Sequence, residues 1–368
     1  MFRGFVVATA FGLAGSGLAA PAQAQSDPAR TDKSPPLLIA RETTLRCGGQ
    51  RVEPLYSEPL SPLFNAAPST AEREISTQAF HFSVDAQGRP RSIRPAPTNT
   101  PRLIQSDDAQ ATLAAYRFAA DAPRADCAMT IRQTPLALTE AGTERLAFTY
   151  AVDRSRPAAV FRALARDGDD CSNRPRPAVA AYPSPEVGRL PPGGRAWTAT
   201  RWNVDREGRT SDVETIASSG DRDIDAEARR AVVATRFQPD APRRGCINTW
   251  TRQGPPLTDT PDPEPTGDPL QNCPAALRAL LSPGRQTYPP AFQRRGVEGW
   301  AIVRFDIASW GQIGAVEVLE AQPAAAFGDA ARSIIRARQA PPGHVAGIRC
   351  IDRVIFRMAD TDQEANAD

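Results

Sequence analysis

Cys47, Cys127, Cys171, Cys246, Cys273 and Cys350 could pair with one another, hold a metal or act as nucleophiles. Their spacing separates these chemistries. No two stand at C-x-x-C spacing, and His81 and His344 are the only histidines in the chain, so a metal-ligand set is not expected. The late cysteines, Cys127, Cys246 and Cys350, follow the turn glycines Gly88, Gly208 and Gly311 by 39, 38 and 39 residues, and an earlier cysteine precedes each of them by 80, 75 and 77 residues. This regularity predicts the disulfides Cys47–Cys127, Cys171–Cys246 and Cys273–Cys350. Loops of that length stabilise by about 4 to 5 kcal/mol each on the chain-entropy model.

With the thiols taken up, catalysis would need another constellation. The chain has no G-x-S-x-G, no H-E-x-x-H and no Gly-rich phosphate loop between strand and helix. His81, on a predicted strand, and His344, in a predicted loop, have no nucleophile partner in sequence, and the acidic residues are scattered. The expectation is a protein that is not an enzyme and carries no cofactor or metal. Basic residues number 44 against 42 acidic ones, for a net charge of +2, so there is no concentrated field for nucleic acid.

The elements that place the cysteines come as a repeat. Residues 296–321 read as a β-hairpin, and residues 79–96 and 199–217 repeat its pattern; in these two an Asp stands three residues before the turn glycine (Asp85, Asp205). After the third hairpin, Phe327, Ala330, Ala331, Ile334 and Ile335 fall on one side of a helix predicted over 324–338, which Pro341-Pro342-Gly343 stops. A last strand is predicted over 350–358, with Val354, Phe356 and Met358 on one face and Arg353 and Arg357 on the other. Short helical pieces precede the hairpin at 275–281 and 290–294. The second copy has a helix at 224–237 and a strand at 246–252, and its RFQPDAP from Arg236 echoes RFAADAP from Arg117, with Phe237 and Phe118 each nine residues before the late cysteine. In the first copy, 144–152 reads as one further strand and 158–166 as one further helix.

The fold class expected is therefore α+β, as three tandem units, each a small antiparallel sheet (strand, strand, helix, strand) with helices on one face and one disulfide. The boundaries expected are 25–155, 156–254 and 270–358, with a disordered tail at 359–368. The Pro- and Asp-rich stretch 255–269 reads as a semi-rigid spacer, which at about 3.1 Å per residue would hold its neighbours some tens of ångströms apart. At the N-terminus, Arg3, an apolar run from Phe5 to Ala20, and Pro21 before Ala22-Gln23-Ala24 have the layout of a signal peptide over 1–24, cleaved after Ala24 into the periplasm.

Tyr288-Pro289-Pro290, Arg295-Gly296-Val297-Glu298-Gly299, Val303-Arg304-Phe305-Asp306-Ile307, the pair Ala330-Ala331 and Val354-Ile355-Phe356 together resemble the C-terminal domain of the TonB family of energy transducers, over residues 286–358. The second copy is similar more loosely, through Tyr182-Pro183 and Gly193-Gly194, and the first through its hairpin, helix and late cysteine. The resemblance implies a periplasmic, non-enzymatic domain that captures a short extended peptide of an outer-membrane receptor beside its last strand, linked to TonB-dependent transport. Carried onto this sequence, the peptide-binding residues would be Tyr288, Pro289, Ile351, Arg353, Ile355 and Arg357. Partners would be receptor peptides or another envelope protein. The family's uncleaved N-terminal helix with its His has no counterpart here, so energy transduction by this chain alone is not expected. The alternative is a structural or scaffolding protein of the envelope that keeps the fold without it.

Overall fold

The computed structural model describes residues 35–97, 108–121, 123–153, 155–172, 175–258, 260, 273–282, 287–343 and 348–358. The signal-peptide region, His344 and the tail lie outside the described residues. The first segment begins with β1 (Leu37–Cys47), β2 (Gln50–Arg51) and β3 (Leu63–Asn65), followed by the hairpin β4 (Ser76–Val84) and β5 (Pro90–Pro95), helix α1 (Asp108–Ala114) and β6 (Arg124–Ala137). Its sheet runs β2-β1-β6-β4-β5, with β3 on β1. The last strand of this segment thus lies between the hairpin and β1, which pairs with it antiparallel from Leu37↔Ala137 to Cys47↔Cys127.

The second segment carries α2 (Gly142–Val152), α3 (Ala158–Leu164), β7 (Pro177–Val179), the hairpin β8 (Arg195–Val204) and β9 (Thr210–Ser218), α4 (Arg222–Ala234), β10 (Arg236–Phe237) and β11 (Arg243–Gln253). Its main sheet runs β11-β8-β9. Asp221 starts α4 by accepting hydrogen bonds from the amides of Asp223 and Ile224, and the helix lays Ile224, Ala228, Ala231 and Val232 into the interior. It stops at Ala234, short of the expected Phe237, because the Phe237 amide is used by the Gly208 carbonyl.

Two expectations need correction here. Residues 144–152, expected as a strand, lie in helix α2. Phe148, Thr149, Tyr150 and Val152 favour strands by type, but Leu146 through Tyr150 are all buried, and a helix satisfies its own backbone where no strand pairs with it. Phe148 stacks on Trp197 with ring centroids 4.7 Å apart. The second sheet is consequently covered on both faces, not one: α2 and α3 pack against Trp197 and Ala199, while Trp202, Val204 and Val232 form a separate cluster with Cys171 and Cys246 on the other side.

The third segment comprises α5 (Ala275–Leu280), α6 (Pro290–Gln293), the hairpin β12 (Gly299–Ile307) and β13 (Ile313–Gln322), α7 (Ala325–Ala337) and β14 (Ile348–Phe356), in the sheet order β13-β12-β14. Helix α7 buries Phe327, Ala331, Ile334 and Ile335, the face read from the sequence. The whole is a mixed α+β fold of small antiparallel sheets and short helices, closed by three disulfides, Cys47–Cys127, Cys171–Cys246 and Cys273–Cys350.

The same local devices recur in the three sheets. In each, the last strand pairs with the first strand of the hairpin, and an aromatic stands opposite the late cysteine: Phe82↔Cys127, Trp202↔Cys246, Phe305↔Cys350. Four residues beyond each turn glycine, Ser92, Asp212 and Ala315 have φ of 52°, 51° and 46°, next to a register shift that bends the hairpin. The carbonyls of Gly88, Gly208 and Gly311 accept from the amides of Phe118, Phe237 and Ala340 at 2.9, 2.9 and 3.0 Å. The sequence echo at Phe118 and Phe237 is therefore one contact made twice. Gly208 has φ of +79°, and a Cβ there would run into the Phe237 carbonyl oxygen. Gly208→Ala is expected to cost about 2 to 4 kcal/mol, read from the urea unfolding midpoint; a loss below about 0.5 kcal/mol would mean that this contact does not hold the hairpin.

The described part of the stretch from residue 255 packs against its neighbours. Leu257 is buried and pairs with the third segment, its amide donating to the Gly296 carbonyl at 2.7 Å and its carbonyl accepting from Glu298 at 3.0 Å. Thr260 bridges the Glu298 carbonyl and the Arg91 guanidinium. One continuous core joins Phe80, Phe82 and Tyr116 of the first segment to Phe292, Phe305 and Phe327 of the third, because burying apolar surface against a neighbour removes more of it from water than small separate sheets can. Residues 261–269 of the expected spacer lie outside the described residues.

Candidate functional site

Strand β14 pairs with β12 along its length, from Gly299↔Phe356 to Ile307↔Ile348, and is the terminal strand of its sheet among the described residues. Alternation assigns its side chains. Ile348, Cys350, Val354 and Phe356 enter the core. Ile351 and Ile355 belong to a small apolar cluster with Trp300, Ile302 and Leu319. Arg353 and Arg357 are exposed, as their off-core positions predict. Charge pairs hold the strand at intervals: Arg349 Nε donates to Asp306 at 2.9 Å, and Asp352 pairs with Arg338.

Tyr288 and Pro289 occupy structural positions. The Tyr288 hydroxyl donates to the Val297 carbonyl at 2.7 Å, and its half-buried ring meets Phe356 and Phe327 edge-on, with centroids 5.5 and 6.0 Å apart. Burial, aided by the Glu298 charge, holds the phenol above the usual tyrosine range. Pro289 is buried, and its carbonyl accepts from the amides of Phe292 and Gln293 as α6 begins. The structure thus brings Tyr288 and Arg357 to one end of β14, places Ile351 and Ile355 on one face at its centre, and keeps Pro289 inside.

Glu298, quoted in the sequence as part of a family motif but not as a binding residue, fixes the end of β14. Its buried carboxylate accepts from Arg357 Nη1 and from the Met358 amide, both at 2.9 Å, pinning the strand's end. The available signal was its neighbour Gly299, where a Cβ would meet the Gln322 carbonyl and the Phe327 ring. In the second segment, Tyr182 is instead exposed and stands edge-on to Trp250, centroids 5.7 Å apart. His81 is exposed on β4. Among the described residues there is no group of three or more metal-ligating side chains, and no helix long and apolar enough to cross a membrane.

Comparison with known proteins finds a likeness over one segment. Residues 284–357 match the family model of the Gram-negative bacterial TonB protein C-terminal. Among solved structures, the solution NMR structure of the Pseudomonas aeruginosa TonB C-terminal domain is 27% identical, over 22% of this chain and 90% of that one, with a TM-score of 0.20. No curated protein matches the chain. The family match associates this segment with the C-terminal part of Gram-negative bacterial TonB proteins. The third segment of this chain, about a fifth of its length, is thus recognised as similar to the TonB C-terminal family.

Proposed function

We propose that the chain is three tandem TonB-like units, exported to the periplasm by cleavage after Ala24, and that it acts without catalysis by capturing an extended peptide along β14. The shared strand order, bulge and aromatic–cysteine register support the tandem reading. One observation carries the binding mode: in the first segment an extended stretch of this same chain, β1, already lies antiparallel against the last strand, β6, over eleven paired positions. β14 is the corresponding strand of the third sheet, and an added strand there would gain main-chain hydrogen bonds in the same way. Ile351 and Ile355 supply apolar footing, and Arg353 and Arg357 favour acidic peptide side chains by about 0 to 1 kcal/mol each, as exposed pairs do.

The expected ligand is the N-terminal peptide of an outer-membrane receptor. Ile355→Pro, in the full oxidised chain, is expected to weaken binding of such a labelled peptide at least about tenfold by fluorescence anisotropy, since it removes a backbone donor and forbids regular pairing. Circular dichroism checks that the variant is folded, and amide exchange over 348–356 in the unaltered chain should slow on peptide addition. Unchanged affinity in a folded variant, or no protection with any receptor peptide, sinks the reading. The internal roles of Tyr288 and Pro289 favour the second reading, an envelope scaffold that keeps the fold without binding peptide, which such a result would leave standing.

A further inference from the structure

The three segments meet around a cleft of about 800 Å³, none of whose lining comes from β14. Five arginines line it: Arg156 beyond α2, Arg195 at the start of β8, Arg252 near the end of β11, and Arg294 and Arg295 behind α6. Asp108 and Asp153 are the acidic residues in the same lining.

The local pairings neutralise only part of this charge. Arg295 is spent on buried Glu58 and on Thr112 Oγ1, 2.7 Å away. Arg252 donates to the carbonyls of Ser184 and Val187, which carry no full charge. Asp108 is held by Arg41 at 2.8 Å and by the Ser61 hydroxyl at 3.1 Å. Asp153 accepts from the Ser155 amide and hydroxyl at 2.9 and 2.7 Å. The side chains of Arg156, Arg195 and Arg294 make no ion pair among the described residues. Burial and the like charge of Arg295 disfavour the Arg195 cation, and the charges of Glu58 and Asp108 offset part of that cost. Since arginine does not give up its proton in proteins, a bound anion would relieve what remains of that cost.

We infer that this cleft binds a small polyanion through oxyanion groups, carboxylate or phosphate, gripped by Arg156, Arg195 and Arg294. The guanidinium fork suits either group bidentately, and cations on separate parts of the chain, of which Arg156 and Arg294 make no ion pair among the described residues, suit more than one negative group on the ligand. The volume lies within the range of small-molecule sites, whereas the net charge of +2 spread over the whole chain provides no extended field for a nucleic acid. An occupant would also tie the second and third segments together, so it should raise the unfolding temperature.

Calorimetric titration of the full oxidised chain with citrate and with pyrophosphate tests this, with sodium chloride at matched ionic strength as control. Saturable binding of one ligand per chain is expected, weakened at least about tenfold by Arg294→Gln and by Arg156→Gln, because a hydrogen bond to a charged group is lost in each. Both residues are exposed, so these variants should melt like the parent without ligand; Arg195→Gln, more buried, is scored only against its own ligand-free melting curve. Binding of citrate alone or pyrophosphate alone supports the site and identifies its source chemistry. No saturable binding of either anion, or parental affinity in the folded Arg294→Gln and Arg156→Gln variants, overturns it.

Discussion

Arg295→Ala is expected to lower the free energy of unfolding by about 3 to 5 kcal/mol, the cost of leaving one member of a buried ion pair without its partner. Both side chains are withdrawn from water, at 5% and 9% exposure for Arg295 and Glu58. The guanidinium also reaches Thr112 Oγ1 and the Gly193 carbonyl, so one side chain of the third segment holds the first and the second. The surroundings are arranged for a buried anion: the Tyr116 hydroxyl donates to the Glu58 backbone carbonyl at 2.8 Å, and burial together with the Glu58 charge pushes its phenol up to about 12. Tyr56 is raised for the same two reasons. Urea unfolding at neutral pH measures the loss. The double variant Arg295→Met with Glu58→Leu should regain most of it, because it removes both charges at similar volume. A single-variant loss below about 1 kcal/mol would place the pair in a wetter setting than its burial indicates.

Removing the Cys171–Cys246 disulfide by replacing both residues with Ala is expected to cost about 4 to 5 kcal/mol on the chain-entropy model. The loop spans 75 residues, comparable to the other two at 80 and 77, so loop length alone does not set this bond apart. Its surroundings do. Cys171 and Cys246 are two of the five fully buried members of the small cluster that also contains Trp202, Val204 and Val232, whereas the first and third disulfides border one large shared core. Trp202, stacked on Phe237 at 4.6 Å, should move toward water, shifting its fluorescence to the red at lower urea than in the parent. A change under about 1 kcal/mol would mean that α2 and α3, packed on the opposite face, hold this segment without the bond.

Much of the third segment was legible because its signals are local. Phe327, Ala331, Ile334 and Ile335 recur at helical spacing, and α7 follows them to within a residue at each end. The hairpins were readable from alternation and a turn glycine, and all three disulfides follow the spacing between cysteines and those glycines. The positive φ at Ser92, Asp212 and Ala315 was not readable, since none is the Gly or Asn that marks such a backbone and only the register of the partner strand demands it. The roles of the site residues were equally hidden: Tyr288 and Arg357 look alike as candidates in sequence, but one is turned inward onto Phe356 and the other lies exposed, bound to Glu298.

By itself, then, the sequence determined the cysteine pairs, the hairpins and the amphipathic helices α4 and α7, because each depends on periodicity and spacing within some eighty residues of chain. Only the tertiary structure decided that 144–152 is a helix, since the burial of Leu146 through Tyr150 outweighed strand propensity there. It also decided that the second sheet is covered twice and that β1 lies against β6. The arginine cleft is of the same kind: Arg156, Arg195 and Arg294 are separated by tens of residues and line one cleft only because the fold brings the second and third segments together there.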